Sequence, residues 1–281
     1  MAELKEAPNS SADWSPTRCF EELGTQSARG EATLRVVTLN CLSSAYVNHS
    51  QLSWCPPEFL SWSHRQESLF DAVRALDPTV LCLQEADHVD EWKGFLEPLG
   101  FKMSVAIRPT RQEGCVTAWK ANTVELVGTH ILSFNDLAAC NGGDVRFLRD
   151  NVALITRLQS RLGGNQQQVL LANTHLYWNP HRPEVKIAQA EILARTLELM
   201  AGSSRTDASA SSPVCIVGDL NSLPGSDVIK FLELGEVERP MGPKFSSRFI
   251  CDMSLNRLCR WLRILGLDCE LETEDENVAR T

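Results

Sequence analysis

Between residues 101 and 134 the sequence carries three strand-like runs, "FKMSVAI", "GCVTAWK" and "TVELVGTHILSF", with no helical stretch between them. Strands joined that closely pair antiparallel, because a parallel return needs a crossover of about a dozen residues or more. The flanking sequence follows a different pattern. "TLRVVTLN" (33–40) reads as a strand, followed by a long loop containing "SWCPPEFLSW". Ser63 then opens a helix whose Leu69, Val73 and Leu76 fall at helical spacing, ended by Asp77-Pro78. "TVLCLQE" is a buried strand, and "DHVDEWKGFLEPLG" a helix with Val89, Trp92, Phe95 and Leu99 on one face. "NVALITRL" and "QVLLANTHL" form a hairpin around Gly163-Gly164. A helix from about Glu184 to Met200 buries Val185, Ala188, Ile192 and Leu199, and a low-complexity loop leads into the strand "VCIV". Alternation at both ends with antiparallel pairing in the middle defines an α/β or α+β layered domain.

The 281 residues are 43% hydrophobic, ample for a substantial core. Ten cysteines contain no C-x-x-C pair, and Cys82, Cys115 and Cys215 sit inside strand-like runs. They read as small buried hydrophobes rather than as a disulfide or zinc framework. A net charge of −9 argues against a broad nucleic-acid-coating surface but leaves room for a small basic cleft. No apolar run approaches membrane-spanning length and the first residues lack a secretion signal, so the expectation is an intracellular protein, cytoplasmic or nuclear. Residues 1–30, rich in Ser, Pro, Glu and Ala without periodicity, read as a disordered lead-in.

Four strands end in groups suited to chemistry. Asn40 ends the first, Gln84 and Glu85 the second, His175 lies in "ANTHLYW", and Asp219 and Asn221 follow "VCIV". Each has a plain alternative. Asn40 caps a turn, Glu85 caps the next helix, His175 is a hydrogen-bonded structural histidine, and "GDLNSLPGS" is a run of turn formers. Asp219 and Asn221, spaced i and i+2, leave one face of an extended chain. Taken together they gather where α/β sheets bind ligands, beyond their strand ends. One Glu, one Asp, two Asn and one His suit magnesium, which prefers carboxylate and amide oxygens alongside phosphate. Such a set fits metal-assisted attack of water on a phosphate ester.

The stretches "VVTLNCLSS", "CPPEFLSWSHRQESL", "LCLQEADH", "RDNVALI", "NTHLYWNP" and "GDLNSLPGS" resemble, in order, the endonuclease/exonuclease/phosphatase superfamily. Within it they resemble the branch of carbon-catabolite-repressor-type deadenylases and nocturnin, over residues 33–235. The resemblance implies a four-layer α/β/β/α sandwich with a magnesium-dependent phosphodiesterase site (manganese being the alternative metal). It implies that Glu85 binds the metal with Asn40 in support and that His175 contacts the scissile phosphate. Asp219 would position the nucleophilic water beside Asn221, with Asn151, Asn179 and Pro180 near the substrate. The implied partners are an RNA 3′ end or a small phosphoester.

The superfamily pattern closes with a terminal Ser-Asp-His, and here no histidine follows His181. The expectation is a domain at 31–235 incomplete in its last strands, with weak or absent hydrolysis. A linker at 236–246 then leads to residues 247–281, where "RFICDMSLNRLCRWLRILG" resembles the opening of the mutator-seven C-terminal PIN-like RNase domain, with Asp252 at its carboxylate position. Leu255, Leu258, Leu262 and Leu265 share a helical face there, and the acidic run from Glu270 reads as a solvated tail.

Overall fold

The computed structural model of the chain describes residues 34–50, 52–140, 142–161, 168–202 and 212–235, with two further strands at 248–251 and 268–271. The first sheet is built from β1 (Val36–Asn40), β2 (Val80–Ala86), β3 (Phe101–Ile107) and β4 (Gly114–Lys120), in the order β1-β2-β4-β3. The second holds β5 (Val124–Ser133), β6 (Val152–Ser160), β7 (Gln168–His175) and β8 (Val214–Asp219), in that order. Each sheet contains one parallel pair, β1 with β2 and β7 with β8, and the remaining neighbours are antiparallel.

Strand alternation creates the layers. On β2, Leu81 and Leu83 face α2 (Trp62–Leu76) and α3 (Val89–Leu96), where Leu69, Val73, Trp92 and Leu96 meet them. Val80 and Cys82 face the other way, into a cluster with Trp119 of β4, Leu158 of β6 and Leu171 of β7. On the far side Ile155, Leu170 and Ala172 pack against Ile192, Leu193 and Leu197 of α5 (Pro183–Ala201) and Val228 of α6 (Asp227–Leu234). The result is an α/β/β/α sandwich, as expected, in which the central strands β2, β4, β6 and β7 are the most deeply buried.

Local departures have physical causes. The helix expected from Ser63 starts at Trp62, because the Ser61 hydroxyl accepts the His64 amide and acts as the cap. The preceding loop contains a short helix, α1 (Pro57–Leu60), opened by a proline in its first turn. Another short helix, α4 (Asp136–Cys140), separates β5 from β6. Leu99 and Leu199 are exposed rather than buried, while Leu96 and Leu197 fill the core. Leu99 falls in a 3-10 turn, where the α-helical face is lost. Cys41, Cys82 and Cys115 are buried, as expected, and Cys55 and Cys215 half-buried. Desolvation pushes the Cys115 thiol up to about 12.

The lead-in at 1–30, the Gly163-Gly164 turn, the linker at 236–246, and Asp252 with its helix lie outside the described residues. β9 (Arg248–Cys251) pairs in parallel with β10 (Asp268–Leu271), which includes Glu270 and Leu271, and the rest of the acidic run lies outside the described residues. Among the described residues no helix is long and apolar enough to cross a membrane.

Candidate active site

The two parallel pairs end at the same place. Asn40 registers with Gln84 across β1 and β2, and His175 with Asp219 across β7 and β8. Two local distortions aim the carboxylates. The β2–β4 register shifts between Leu83 and Ala86, and Glu85 takes a left-handed φ of 54°. A bulge of this kind re-aims a side chain at the end of its strand. On β8, Gly218 has φ 133°, and a Cβ there would lie 1.9 Å from the Thr174 carbonyl oxygen. Only glycine lets β8 approach β7 closely enough to place Asp219.

Asn40 joins the two halves. Its Nδ2 donates to Glu85 Oε1 at 2.9 Å and to Asp219 Oδ2 at 3.0 Å. Its Oδ1 accepts the Leu42 amide at 2.9 Å. The Ser43 amide donates to Glu85 Oε2 at 2.9 Å, so both carboxylate oxygens are held from the β1 side. His175 lies between the acids, with Nδ1 3.9 Å from Glu85 Oε1 and Nε2 3.8 Å from Asp219 Oδ2. Both separations exceed hydrogen-bond length, and Nδ1 is buried without a partner among the described residues.

Asn221 arrives by a different route from the extended spacing expected of it. β8 stops at Asp219, and Asn221 turns into the left-handed region at φ 47°. Its amide donates to Asp219 Oδ1 at 2.9 Å and its Nδ2 to the Leu176 carbonyl at 2.9 Å. "GDLN" is therefore both a turn and a site element: the turn brings Asn221 beside Asp219 in one cavity.

Buried polar groups on neighbouring elements fix this geometry. Lys186 of α5 donates to the Asn221 carbonyl at 2.7 Å. Gln189, one turn later, accepts the Tyr177 amide at 2.8 Å and donates to Asn151 Oδ1 at 3.2 Å. Asn151 Nδ2 donates in turn to the His175 carbonyl at 2.8 Å. On the opposite flank Arg65 of α2 donates to the carbonyls of Cys41 (2.9 Å) and Leu42 (2.5 Å), bracing the loop that holds Glu85. Across the sandwich, Gln84 Nε2 donates to Asn173 Oδ1 at 2.8 Å, and Asn173 Nδ2 donates to the carbonyls of Leu83 and Val116.

These elements enclose a cavity of about 300 Å³ lined by Glu85, Asn151, His175, Asp219 and Asn221, together with Leu42, Tyr46, Arg108, Arg111, Leu176 and Trp178. Asn40 acts on it through its bonds to both acids. Asn179 and Pro180 do not line it: Asn179 Oδ1 caps the His181 amide at 2.8 Å, and Pro180 is exposed. Burial and the adjoining Glu113 push the Tyr46 phenol above its ordinary range. Tyr46, Arg108, Arg111 and Trp178 were not singled out in the sequence, because they sit on loops or a loop-edge turn where periodicity carries no signal. Lys186 and Gln189 left a faint trace as polar residues on the buried stripe of an apolar helix.

The donor set fits a hard divalent cation in part. Each oxygen of Glu85 accepts one bond and keeps a second lone pair, and Asp219 lies on the other side of the shared Asn40 amide. Magnesium is held by one or two carboxylates plus waters and substrate phosphate rather than by a full protein cage. Among the described residues no group of three or more His, Cys, Asp or Glu is arranged to hold a metal ion.

A layered sandwich with converging carboxylates, amides and an imidazole is the architecture of a phosphoesterase class, and comparison with known proteins identifies the class. The family model for the Endonuclease/Exonuclease/phosphatase family matches residues 37–249, and the chain belongs to that family. The chain is 28% identical over 237 residues to "Carbon catabolite repressor protein 4 homolog 4" of Arabidopsis thaliana, covering 73% of this chain and 56% of the relative. It is 25% identical over 289 residues to the "CCR4-Not complex 3'-5'-exoribonuclease subunit Ccr4" of Coccidioides immitis, covering 82% and 38%. Among solved structures it resembles ANGEL2, described as a 2′,3′-cyclic phosphatase, with TM-score 0.61 and 27% identity over 71% of this chain and 56% of that one. The chain thus spans about half, or less, of these relatives' lengths. Enzymes of this family are generally divalent-metal dependent.

Proposed function

We propose that the site is that of a magnesium-dependent phosphodiester hydrolase of the deadenylase-like kind, acting at RNA 3′ ends. The observation that supports this reading is the convergence of four strand ends on one cavity, with one amide bonded to both carboxylates. Glu85, held by Asn40 and Ser43, would bind magnesium or manganese, which supplies Lewis-acid polarisation of a phosphoryl oxygen. Asp219, fixed by the Asn40 and Asn221 bonds, would orient the attacking water and take its proton. His175, held through Asn151 and with Nδ1 unpartnered, would donate to charge developing on the phosphoryl oxygens. Asn221, beside Asp219, would complete the water-positioning half of the site, and Asn151 would lie near the substrate in the same wall.

The rate is expected to be low. Among the described residues His175 is the one imidazole lining the cavity, and a missing general acid–base group costs roughly 10²–10⁴-fold. The test is hydrolysis of a poly(A) oligomer by the purified chain with magnesium. Glu85→Ala and Asp219→Ala are each expected to abolish it, and activity surviving both sinks the reading.

A second reading, supported by the likeness to ANGEL2, is a phosphatase acting on a small phosphoester, such as a phosphorylated dinucleotide. Measuring short RNA and small phosphoesters side by side separates the two. A third is a binding remnant, marked by magnesium-independent RNA binding without turnover. Residues 247–281, with Asp252, are proposed separately as the opening of a PIN-like domain.

A further inference from the structure

β7 stops at His175, and the backbone groups that follow are satisfied one by one. The Leu176 amide donates to the Asp219 carbonyl at 2.9 Å, and the Leu176 carbonyl accepts Asn221 Nδ2 at 2.9 Å. The His175 carbonyl and the Tyr177 amide are taken instead by a pair of side-chain amides. Asn151 Nδ2 donates to the first and Gln189 Oε1 accepts the second, each at 2.8 Å.

Those two backbone groups cannot exchange roles. The Tyr177 amide only donates, so Gln189 must present Oε1 to it and Nε2 to Asn151. The His175 carbonyl only accepts, so Asn151 must present Nδ2 to it and Oδ1 to Gln189. The Nε2–Oδ1 bond of 3.2 Å between the side chains meets both demands. The polarity of the circuit is therefore fixed, and each amide keeps the other from turning over.

Gln189 and Asn151 are 0% and 3% exposed, so water does not compete for these bonds. The plain alternative is a pair of satisfied core amides that stabilise the fold and do nothing else. The imidazole speaks against it. Its Nε2 and Nδ1 stand 3.8 Å from Asp219 and 3.9 Å from Glu85, beyond hydrogen-bond length. With no hydrogen bond of its own to a side chain of the site, the ring takes its aim from the backbone that carries it.

We infer that Gln189 is a positioning residue for His175. Without touching it, Gln189 orients the Asn151 amide that anchors the His175 carbonyl, and so directs the imidazole into the cavity. The kinetic consequence rests on the hydrolase reading above, whereas the structural one does not.

The test is nuclear magnetic resonance of the full chain, labelled in the histidine carbonyl carbon and the leucine amide nitrogen. His175–Leu176 is the only His-Leu step in the sequence, so the labels give one signal. Gln189→Met keeps the volume and removes the polarity. It is expected to move that signal toward its position in Asn151→Ala and to speed exchange of the Tyr177 amide about tenfold or more. It should also lower kcat about tenfold or more, with KM within about threefold. Leu193→Ala, a core change on the same helix, destabilises the fold yet leaves the signal and kcat in place. Gln189→Glu is the second variant, decisive if the Met variant folds poorly. Its carboxylate accepts from Tyr177 but cannot donate to Asn151, so the signal moves while the Tyr177 amide stays protected. Protonation of that carboxyl at lower pH restores the donor and returns the signal. A signal unmoved in both Gln189 variants overturns the inference, as does equal movement in Leu193→Ala. The two readings fail separately. A moved signal in a chain without turnover refutes the hydrolase and keeps the positioning. Turnover at the parental kcat in Gln189→Met does the reverse.

Discussion

Replacing Asn173 tests how the two sheets are held beneath the site. The side chain, on β7, is fully buried and bonds to two strands of the facing sheet, β2 and β4. Nδ2 donates to the carbonyls of Leu83 at 3.1 Å and Val116 at 2.9 Å, and Oδ1 accepts from Gln84 Nε2 at 2.8 Å. Asn173→Ala removes these bonds together with a longer one from Nδ2 to Thr117 Oγ1 at 3.5 Å. Each buried polar group left unpaired costs about 1–3 kcal/mol. Gln84 Nε2 retains Thr38 Oγ1 and the Cys82 carbonyl, so its share falls at the low end. The expected loss is about 3–5 kcal/mol, a large part of the roughly 5–15 kcal/mol that stabilises a domain. Asn173→Asp, though nearly isosteric, should be worse at neutral pH, because a carboxylate oxygen then faces two carbonyl oxygens. Its deficit relative to Ala narrows as pH falls, since protonation of the new carboxyl restores a donor. Urea unfolding followed by tryptophan fluorescence measures the order parent, Ala, Asp. An Ala variant within about 0.5 kcal/mol of the parent, or an Asp variant more stable than Ala at pH 7, would refute the reasoning.

Two further outcomes follow from backbone and charge. Gly218→Ala should cost about 3 kcal/mol or more, from strain at its φ and the overlap with Thr174, and should abolish turnover by displacing Asp219; an unchanged urea midpoint with full activity contradicts this. Asp150 is held below the usual carboxylate range by hydrogen bonds from Thr110 and then Asn135. A lowered folded value stabilises the fold fully above the ordinary carboxylate pKa of about 4, and that contribution is lost as pH drops from there through the folded value. Asp150→Asn, which tolerates the left-handed φ of 57° at this position, should therefore flatten the decline in melting temperature below about pH 4. An unchanged acid limb of the melting curve rules it out.

Strand ends were the most readable part of this molecule. Glu85, His175 and Asp219 each interrupt or close an apolar run, and a polar group there shows against its surroundings. The layers were equally readable, because the unbroken apolar runs of β2 and β7, buried along nearly their whole length, and the spacing of Leu69 and Val73 leave few ways to cover both sheet faces. Asn221 was readable by type but not by path: residue spacing describes an extended chain and says nothing of a left-handed turn. Arg111, Tyr46 and Trp178 were invisible because loop side chains are placed by the particular bonds of each loop. Asn179 shows the converse, since a residue beside a site motif can still direct its side chain to its own turn. The core partners Asn173, Gln189 and Lys186 are recognisable only once their distant acceptors are known.

The bond between Asn40 and Asp219 spans 179 positions of chain. Contacts that distant form late in folding, after the intervening loops have closed. While the protein is being synthesised, the first sheet can assemble with Glu85 and Asn40 in place long before residue 219 leaves the ribosome. Until β8 docks, this half-built protein presents an acidic group and an amide with no counterpart. The geometry that ties both carboxylates to one amide is therefore among the last features of the described fold to form.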